Sequence, residues 1–363
     1  MINMRIKKVL KTLEDNGYDA YIVGGFVRDY VNGCESFDVD IATSAKPKEI
    51  KDIFSLSNGS EDTYGSISFK DNLYNYDITT FRRDITYVNR KPENYDFIES
   101  KEEDVLRRDF TINGLYMDYT GKVIDLVGGI DDIKNKTIRV IGNMNEKMVE
   151  DPLRMLRAIR FATLLDFELD KELFLYIKQN KILIKSLSYE RKKSELDRIF
   201  KCKNYAKGLK LIKELDILDV LDISFDVVSP CTNHLGIWAQ IEYNKAYPFN
   251  KSEKNIIECV KKIIKYSVID NIVLYECGLY PCIIASEILG ISKSYISDMY
   301  KNLPIYSSKD VCINGNDIIE ILKIQPGKKV KNIMNDIEVN ILNNVLNNTY
   351  EDVKKYILEN WRK

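Results

Sequence analysis

The sequence predicts an α+β protein, an N-terminal head built on an antiparallel or mixed sheet with helices, followed by an all-α remainder. Three observations carry this. Over the first 140 residues short β-rich runs alternate with Gly and Asp turns, whereas nearly everything after Glu150 has helical periodicity. The 363 residues are 45% hydrophobic and 30% charged, with eight prolines and no low-complexity tract, so the chain has enough apolar surface to bury. At roughly 100 to 200 residues per domain, the length calls for two or three units.

The elements follow in order. Ile2, Ile6, Val9, Leu10 and Leu13 recur at threes and fours as far as Asn16-Gly17, which predicts an amphipathic helix with a glycine stop. Strand-like runs lie at 18–23, 37–42, 66–69 and 74–81. The first enters Gly24-Gly25, and Phe26 to Val31 then leads to Gly33, a strand, glycine turn and short helix. Glycines at such a turn let backbone N–H groups approach a phosphate, and Arg28 can clamp it bidentately; a purely structural turn has the same pattern.

In the second run, Phe37, Val39 and Ile41 alternate strictly with Asp38 and Asp40. Period two places both carboxylates on one face, roughly 6.6 Å apart along the strand, above an apolar underside. Such a pair can hold divalent metal ions about 3.5 to 4 Å apart, as in-line nucleotidyl transfer requires. Like charges on a strand otherwise repel, although an edge strand with acidic outer positions remains an open reading. Asp77 sits in a similar alternating run; if the two strands are neighbours, it completes the metal site and can draw the proton from an attacking hydroxyl. Arg107-Arg108-Asp109-Phe110-Thr111-Ile112-Asn113 gathers guanidinium, amide and hydroxyl groups at an expected helix start, a set suited to a triphosphate and ribose.

After Glu150, Asp151 is expected to cap a helix with Pro152 at its first position. At 100° per residue, Arg154, Arg157 and Arg160 fall at about 300°, 240° and 180°, opposite Met155, Leu156, Ile159 and Ala162. The positions four away from Arg157 and Arg160 carry no acid; only Arg154 has acids nearby, in Glu150 and Asp151. The arginines are therefore expected to want an anionic or base-edge ligand, a salt-bridged or solvated helix face being the other reading. From 178 to 213 twelve basic residues stand against three acidic ones, within a chain of net charge −1. That tract is either a solvated helix face or a contact for an RNA backbone.

Seven cysteines, none in a C-x-x-C pair, argue against a disulfide framework or a zinc knuckle, and one histidine, His234, argues against His-based catalysis. Carboxylates and arginines must carry any chemistry. Without an apolar leader or a run of about 18 apolar residues, a cytoplasmic protein with no membrane partner is expected.

Gly-Gly-Phe-Val-Arg-Asp with Asp-Val-Asp-Ile-Ala-Thr, Thr-Thr-Phe-Arg, Arg-Arg-Asp-Phe-Thr-Ile-Asn, Glu-Asp-Pro-Leu-Arg-Met-Leu-Arg and Glu-Arg-Lys-Lys-Ser-Glu stand in this order between about 20 and 200. Together they resemble the class II tRNA nucleotidyltransferases, the CCA-adding enzymes that share a family with bacterial poly(A) polymerase; 313–318 and 325–327 extend the likeness to the tail. The resemblance implies a polymerase-β-superfamily catalytic head (1–140), a helical neck that recognises the base (141–205) and a helical body and tail that bind tRNA (206–363). It implies that Asp38 and Asp40 ligate Mg²⁺, with Asp77, where a glutamate is common, beside them. Gly25, Arg28, Arg108, Arg157 and Arg160 are implied to bind the nucleotide, and Asp151 and Arg154 to pair with the base edge of CTP and then ATP. A full-length segment between Arg82 and Arg107, including Tyr87, Arg90, Lys91-Pro92 and Tyr95, matches the loop that in this family permits the change from C to A. Template-independent CCA addition to tRNA is the expected activity, without an obligate protein partner. Poly(A) polymerase, a CC- or A-adding enzyme and an inactive RNA-binding protein are the alternatives.

Overall fold

In the computed structural model, which describes residues 2–56, 65–88 and 91–362 and the side chains outside 84–94, the first helix is α1 (Met4–Asp15). Asn3 caps it by accepting from the Arg5 N–H at 3.0 Å, and Ile6, Leu10 and Leu13 form its buried stripe. The four alternating runs become β1 (Ala20–Val23), β2 (Asp38–Thr43), β3 (Ser66–Lys70) and β4 (Asn75–Thr80), with α2 (Gly25–Val31) and α3 (Pro47–Phe54) between them. A hairpin follows, β5 (Arg82–Val88) and β6 (Lys91–Phe97), then β7 (Leu115–Met117) and β8 (Val123–Asp125). Arg90, and the side chains of Tyr87, Lys91 and Pro92, lie outside the described residues.

The sheet order is β3-β4-β2-β1-β7-β8. It is mixed: β2 and β4 run parallel, joined by the crossover through α3 and β3, and the other pairs are antiparallel. The residues that alternate with the acids, Val39, Ile41, Tyr76 and Ile78, are buried beneath them. Phe81 and Tyr116 pack with Val23, Ala42, Val105 and Ile141, and each large side chain so buried contributes about 1.5 to 3 kcal/mol.

Two features differ from expectation. The 107–114 cluster does not open an α-helix; it forms two single 3₁₀ turns, Val105–Arg107 and Thr111–Asn113. Between them the backbone is extended because it pairs with 139–141, the Thr111 N–H donating to Arg139 O and the Ile141 N–H to Asp109 O. Beyond α4 (Lys101–Asp104), α5 (Gly129–Lys134) and α6 (Met144–Glu150), the neck helix α7 starts at Leu153 and ends at Leu165. Asp151 is extended and follows α6 rather than capping α7 directly, although its Oδ1 still accepts from the Leu153 N–H at 3.1 Å.

Two compact units are formed, Met1–Asp222 and Ile223–Lys363. In the first, α7 packs on α9 (Tyr189–Phe200) and α10 (Tyr205–Glu214), which follow α8 (Lys171–Gln179). A Cβ on Gly208 of α10 would stand 2.4 Å from Ile199 and 2.8 Å from Thr163, so only glycine permits this approach. The second unit is helical, with Trp238 packed among Tyr243, Tyr247 and Phe249. There Asn314 and Asp317 form a capping box on the helix Gly315–Leu322. Among the described residues no helix is long and apolar enough to cross a membrane.

Candidate active site

The parallel register of β2 on β4 sets Asp38 opposite Asn75 and Asp40 directly opposite Asp77. The adjacency that sequence could not show is therefore present, and three carboxylates share one face of the sheet on its inner strands β2 and β4. Asp38 Oδ1 accepts from Asn75 Nδ2 at 2.8 Å, and Asp77 Oδ1 accepts from the hydroxyls of Ser66 and, at 3.4 Å, Ser68. The Asp40 carboxylate has no hydrogen bond or ion pair among the described residues. It keeps one side open to solvent, yet desolvation by the cleft walls and then the Asp77 carboxylate push its pKa up to about 6, against the pull of Arg108. Gly24 approaches it from the turn between β1 and α2: at φ 68 only glycine is unstrained there, and a Cβ would lie 3.1 Å from Asp40 Oδ2.

Three or more such ligands do not converge on one point among the described residues. A hard divalent cation asks for less, since Mg²⁺ is commonly held by one or two carboxylates with waters and substrate phosphates as its other ligands. Asp38 and Asp40, oxygen donors on one strand face with like charges crowded beside them, fit that requirement.

Across from the acids the arginines are held, and here the expectation of partnerless arginines is corrected. Arg28 donates through Nε and Nη2 to Asp29 Oδ1 (2.9 and 2.7 Å) and through Nη1 to Asn113 Oδ1 (2.9 Å). Arg157 Nε donates to Asp109 Oδ2 at 2.8 Å, and Arg160 Nε lies 2.8 Å from Glu195 Oε2, paired by charge without hydrogen-bond alignment. Arg154 Nη1 meets Glu150 Oε2 at 3.2 Å, a partner its own helix region foretold. The acids of Arg157 and Arg160 come from distant segments, which a search at i±4 cannot see. Burial opposes ionisation of Asp109, but Arg157 outweighs it and holds the carboxyl below its ordinary range. Phe161 lies under three guanidiniums, those of Arg160 (4.2 Å), Arg28 and Arg157 (5.6 Å each).

Asp151 Oδ2 accepts from Arg191 Nη2 at 2.8 Å. Arg191 was missed as a site residue, although the Glu-Arg-Lys-Lys run that contains it was visible. Together these groups line a cleft of about 640 Å³ in which eight arginines (28, 82, 107, 108, 154, 157, 160 and 191) face Asp40, Asp109 and Asp151. Gly24, Gly25 and Asn113 complete its head side, and Leu153, Phe161 and Leu164 its neck side. All the expected nucleotide-binding residues border this one cleft. Asp38 and Asp77 do not line it but lie on the same sheet face as Asp40.

A strand bearing paired carboxylates beside an arginine-lined cleft of nucleotide size defines a nucleotidyltransferase. Residues 20–139 match the poly A polymerase head domain, 166–222 the probable RNA and SrmB-binding site of polymerase A, and 244–357 the putative domain 2 of tRNA nucleotidyltransferase. The CCA-adding enzyme of Ligilactobacillus salivarius is 34% identical, with 98% of this chain and 95% of that protein aligned, and that of Listeria monocytogenes is 33% identical over 96% of each. The crystal structure of the Bacillus stearothermophilus CCA-adding enzyme in complex with CTP superposes with a TM-score of 0.82 at 26% identity, covering 98% of this chain and 96% of that one. The chain belongs to the CCA-adding enzyme family of tRNA nucleotidyltransferases. Enzymes of this family generally use a divalent metal ion.

Proposed function

We propose that the protein adds C, C and A to the 3′ end of tRNA, using CTP twice and ATP once, releasing pyrophosphate and requiring Mg²⁺. The observation that carries this reading is the register that sets Asp40 against Asp77 at the mouth of the arginine cleft. Asp38 and Asp40 would hold the metal, which when bound acidifies the attacking 3′-hydroxyl and neutralises charge on the α-phosphate. Asp77, fixed by Ser66 and Ser68, keeps negative charge beside Asp40. Arg28 and Arg108, oriented by Asp29 and Asp104, receive the phosphates, and Arg157 and Arg160 continue the cationic wall along α7.

Asp151 and Arg154 read the base. A carboxylate accepts from the exocyclic amines of C and A, and a guanidinium donates to a ring nitrogen or carbonyl; U and G offer the opposite pattern. Each Asp151 oxygen already accepts one hydrogen bond, from the Leu153 N–H and from Arg191, which orients the carboxylate and leaves lone pairs for a base. The head spans 1–140, the neck 141–205, and the body and tail 206–363 hold the tRNA in the cytoplasm.

The test is extension of a tRNA transcript ending at the discriminator base, with Mg²⁺ and CTP, ATP or both. Two nucleotides with CTP and three with both are expected. A long adenosine tail with ATP alone would instead make the enzyme a poly(A) polymerase, and an arrest after two with both nucleotides a CC-adding enzyme.

A further inference from the structure

Asp104, the last residue of α4, is completely buried, and both of its oxygens are in use. Oδ1 accepts from Arg107 Nε at 2.9 Å and from the Arg82 backbone N–H at 3.2 Å. Oδ2 accepts from Arg108 Nη2 at 3.0 Å and from the Tyr116 hydroxyl at 2.8 Å. Arg108 Nε also reaches that hydroxyl at 3.3 Å, and its guanidinium lies 5.2 Å from the centre of the Tyr116 ring. Burial opposes the charge on Asp104, but Arg107 and Arg108 outweigh it and keep the carboxyl below its ordinary range.

The three arginines that meet at this buried anion, Arg82, Arg107 and Arg108, all line the cleft, and Arg82 is the first residue of β5. We infer that Asp104 is a positioning residue for the reaction: it fixes Arg107 and Arg108 against the triphosphate and ties the root of the β5–β6 hairpin to them. This rests on the reading of the cleft as a nucleoside triphosphate site. Two adjacent guanidiniums repel, and without an anion behind them they would turn apart toward solvent; with it, their remaining N–H groups are oriented before the nucleotide arrives.

The role predicts a loss confined to the polyphosphate. In calorimetric titrations of the folded protein with CTP, CMP and inorganic tripolyphosphate, Asp104→Asn should weaken CTP and tripolyphosphate about tenfold or more and CMP far less. KM for CTP should rise with kcat reduced to a smaller extent. Equal weakening of CTP and CMP, or unchanged CTP affinity, would overturn the assignment, because a general packing defect does not distinguish phosphate number. Should Asp104→Asn not fold, Tyr116→Phe decides: it removes the hydrogen bond donated to Asp104 and the one accepted from Arg108, and a loss of about threefold selective for CTP over CMP is expected. No selectivity in that variant counts against the role. If the wild-type protein binds CTP but extends no tRNA, the proposed function falls while these affinities still decide what Asp104 does.

Discussion

The two walls of the cleft are built on opposite principles. On the arginine wall these cations each have an acid of the protein behind them: Asp29 for Arg28, Asp104 for Arg107 and Arg108, Asp109 for Arg157, and, by charge alone, Glu195 for Arg160. On the acidic face the side-chain partners of Asp38 and Asp77 are neutral amide and hydroxyl groups, and the Asp40 carboxylate has no hydrogen bond or ion pair among the described residues. One wall is electrostatically settled before any ligand arrives; on the proposed reading the other is settled only when a cation binds. Under that proposal the difference separates positioning, which needs rigid donors, from metal binding, which needs carboxylates left unsatisfied.

The largest effect should come from the unsettled wall. Asp40→Ala should lower nucleotide incorporation by about 10²- to 10³-fold or more, without lowering the melting temperature of the metal-free protein, since it also removes like-charge crowding. Appreciable residual turnover would remove the metal assignment. Next, Arg154→Ala should cost about 1 to 3 kcal/mol of discrimination between CTP and UTP while slowing chemistry less; unchanged selectivity in competition assays would take the base-reading role from it. Asp109→Asn should destabilise the first unit by about 2 kcal/mol by leaving Arg157 uncompensated, seen as a lower urea midpoint.

The same settled acids fix the pH dependence. Asp104 and Asp109 both titrate below their ordinary value of 3.8, so the stability they contribute is complete above that value and is lost as pH falls through their lower folded-state values. Stability should therefore drop below about pH 4, and Asp109→Asn should flatten that limb of an acid titration followed by circular dichroism.

The smallest effect concerns the basic tract at 178–213. Lys181, Arg191, Lys193, Arg198, Lys207 and Lys210 are ion-paired within 4 Å, and Lys192 is buried with its ammonium on Val220 O. Lys201 and Lys203 are exposed, and no ion pair to them is found among the described residues. Replacing both by Ala should reduce the salt dependence of tRNA binding by a slope of about 1 to 2 and leave CTP affinity unchanged. An unaltered slope would make the tract a solvated face.

What sequence could show follows from the range of the contacts. The alternation in β2, the glycine turn and the apolar face of α7 are local patterns, and each is present; Met155, Leu156, Ile159 and Ala162 are buried as their angles require. The opposition of Asp40 and Asp77 depends on a parallel crossover, which no local period encodes. Arg157 and Arg160 looked partnerless because their acids lie on other segments, and the Arg107–Asn113 run looked helical because its pairing with 139–141 is non-local.

These contacts also impose an order of assembly on a growing chain. Asp104 meets Arg107 and Arg108 within four residues, and the β2–β4 pair is complete by Thr80. Asp109 must wait for Arg157, 48 residues on, and Asp151 for Arg191, 40 residues on. During synthesis from the N-terminus the phosphate side of the cleft can therefore form while Asp151 still lacks its clamp, and a chain released anywhere before residue 191 would carry a half-built cleft.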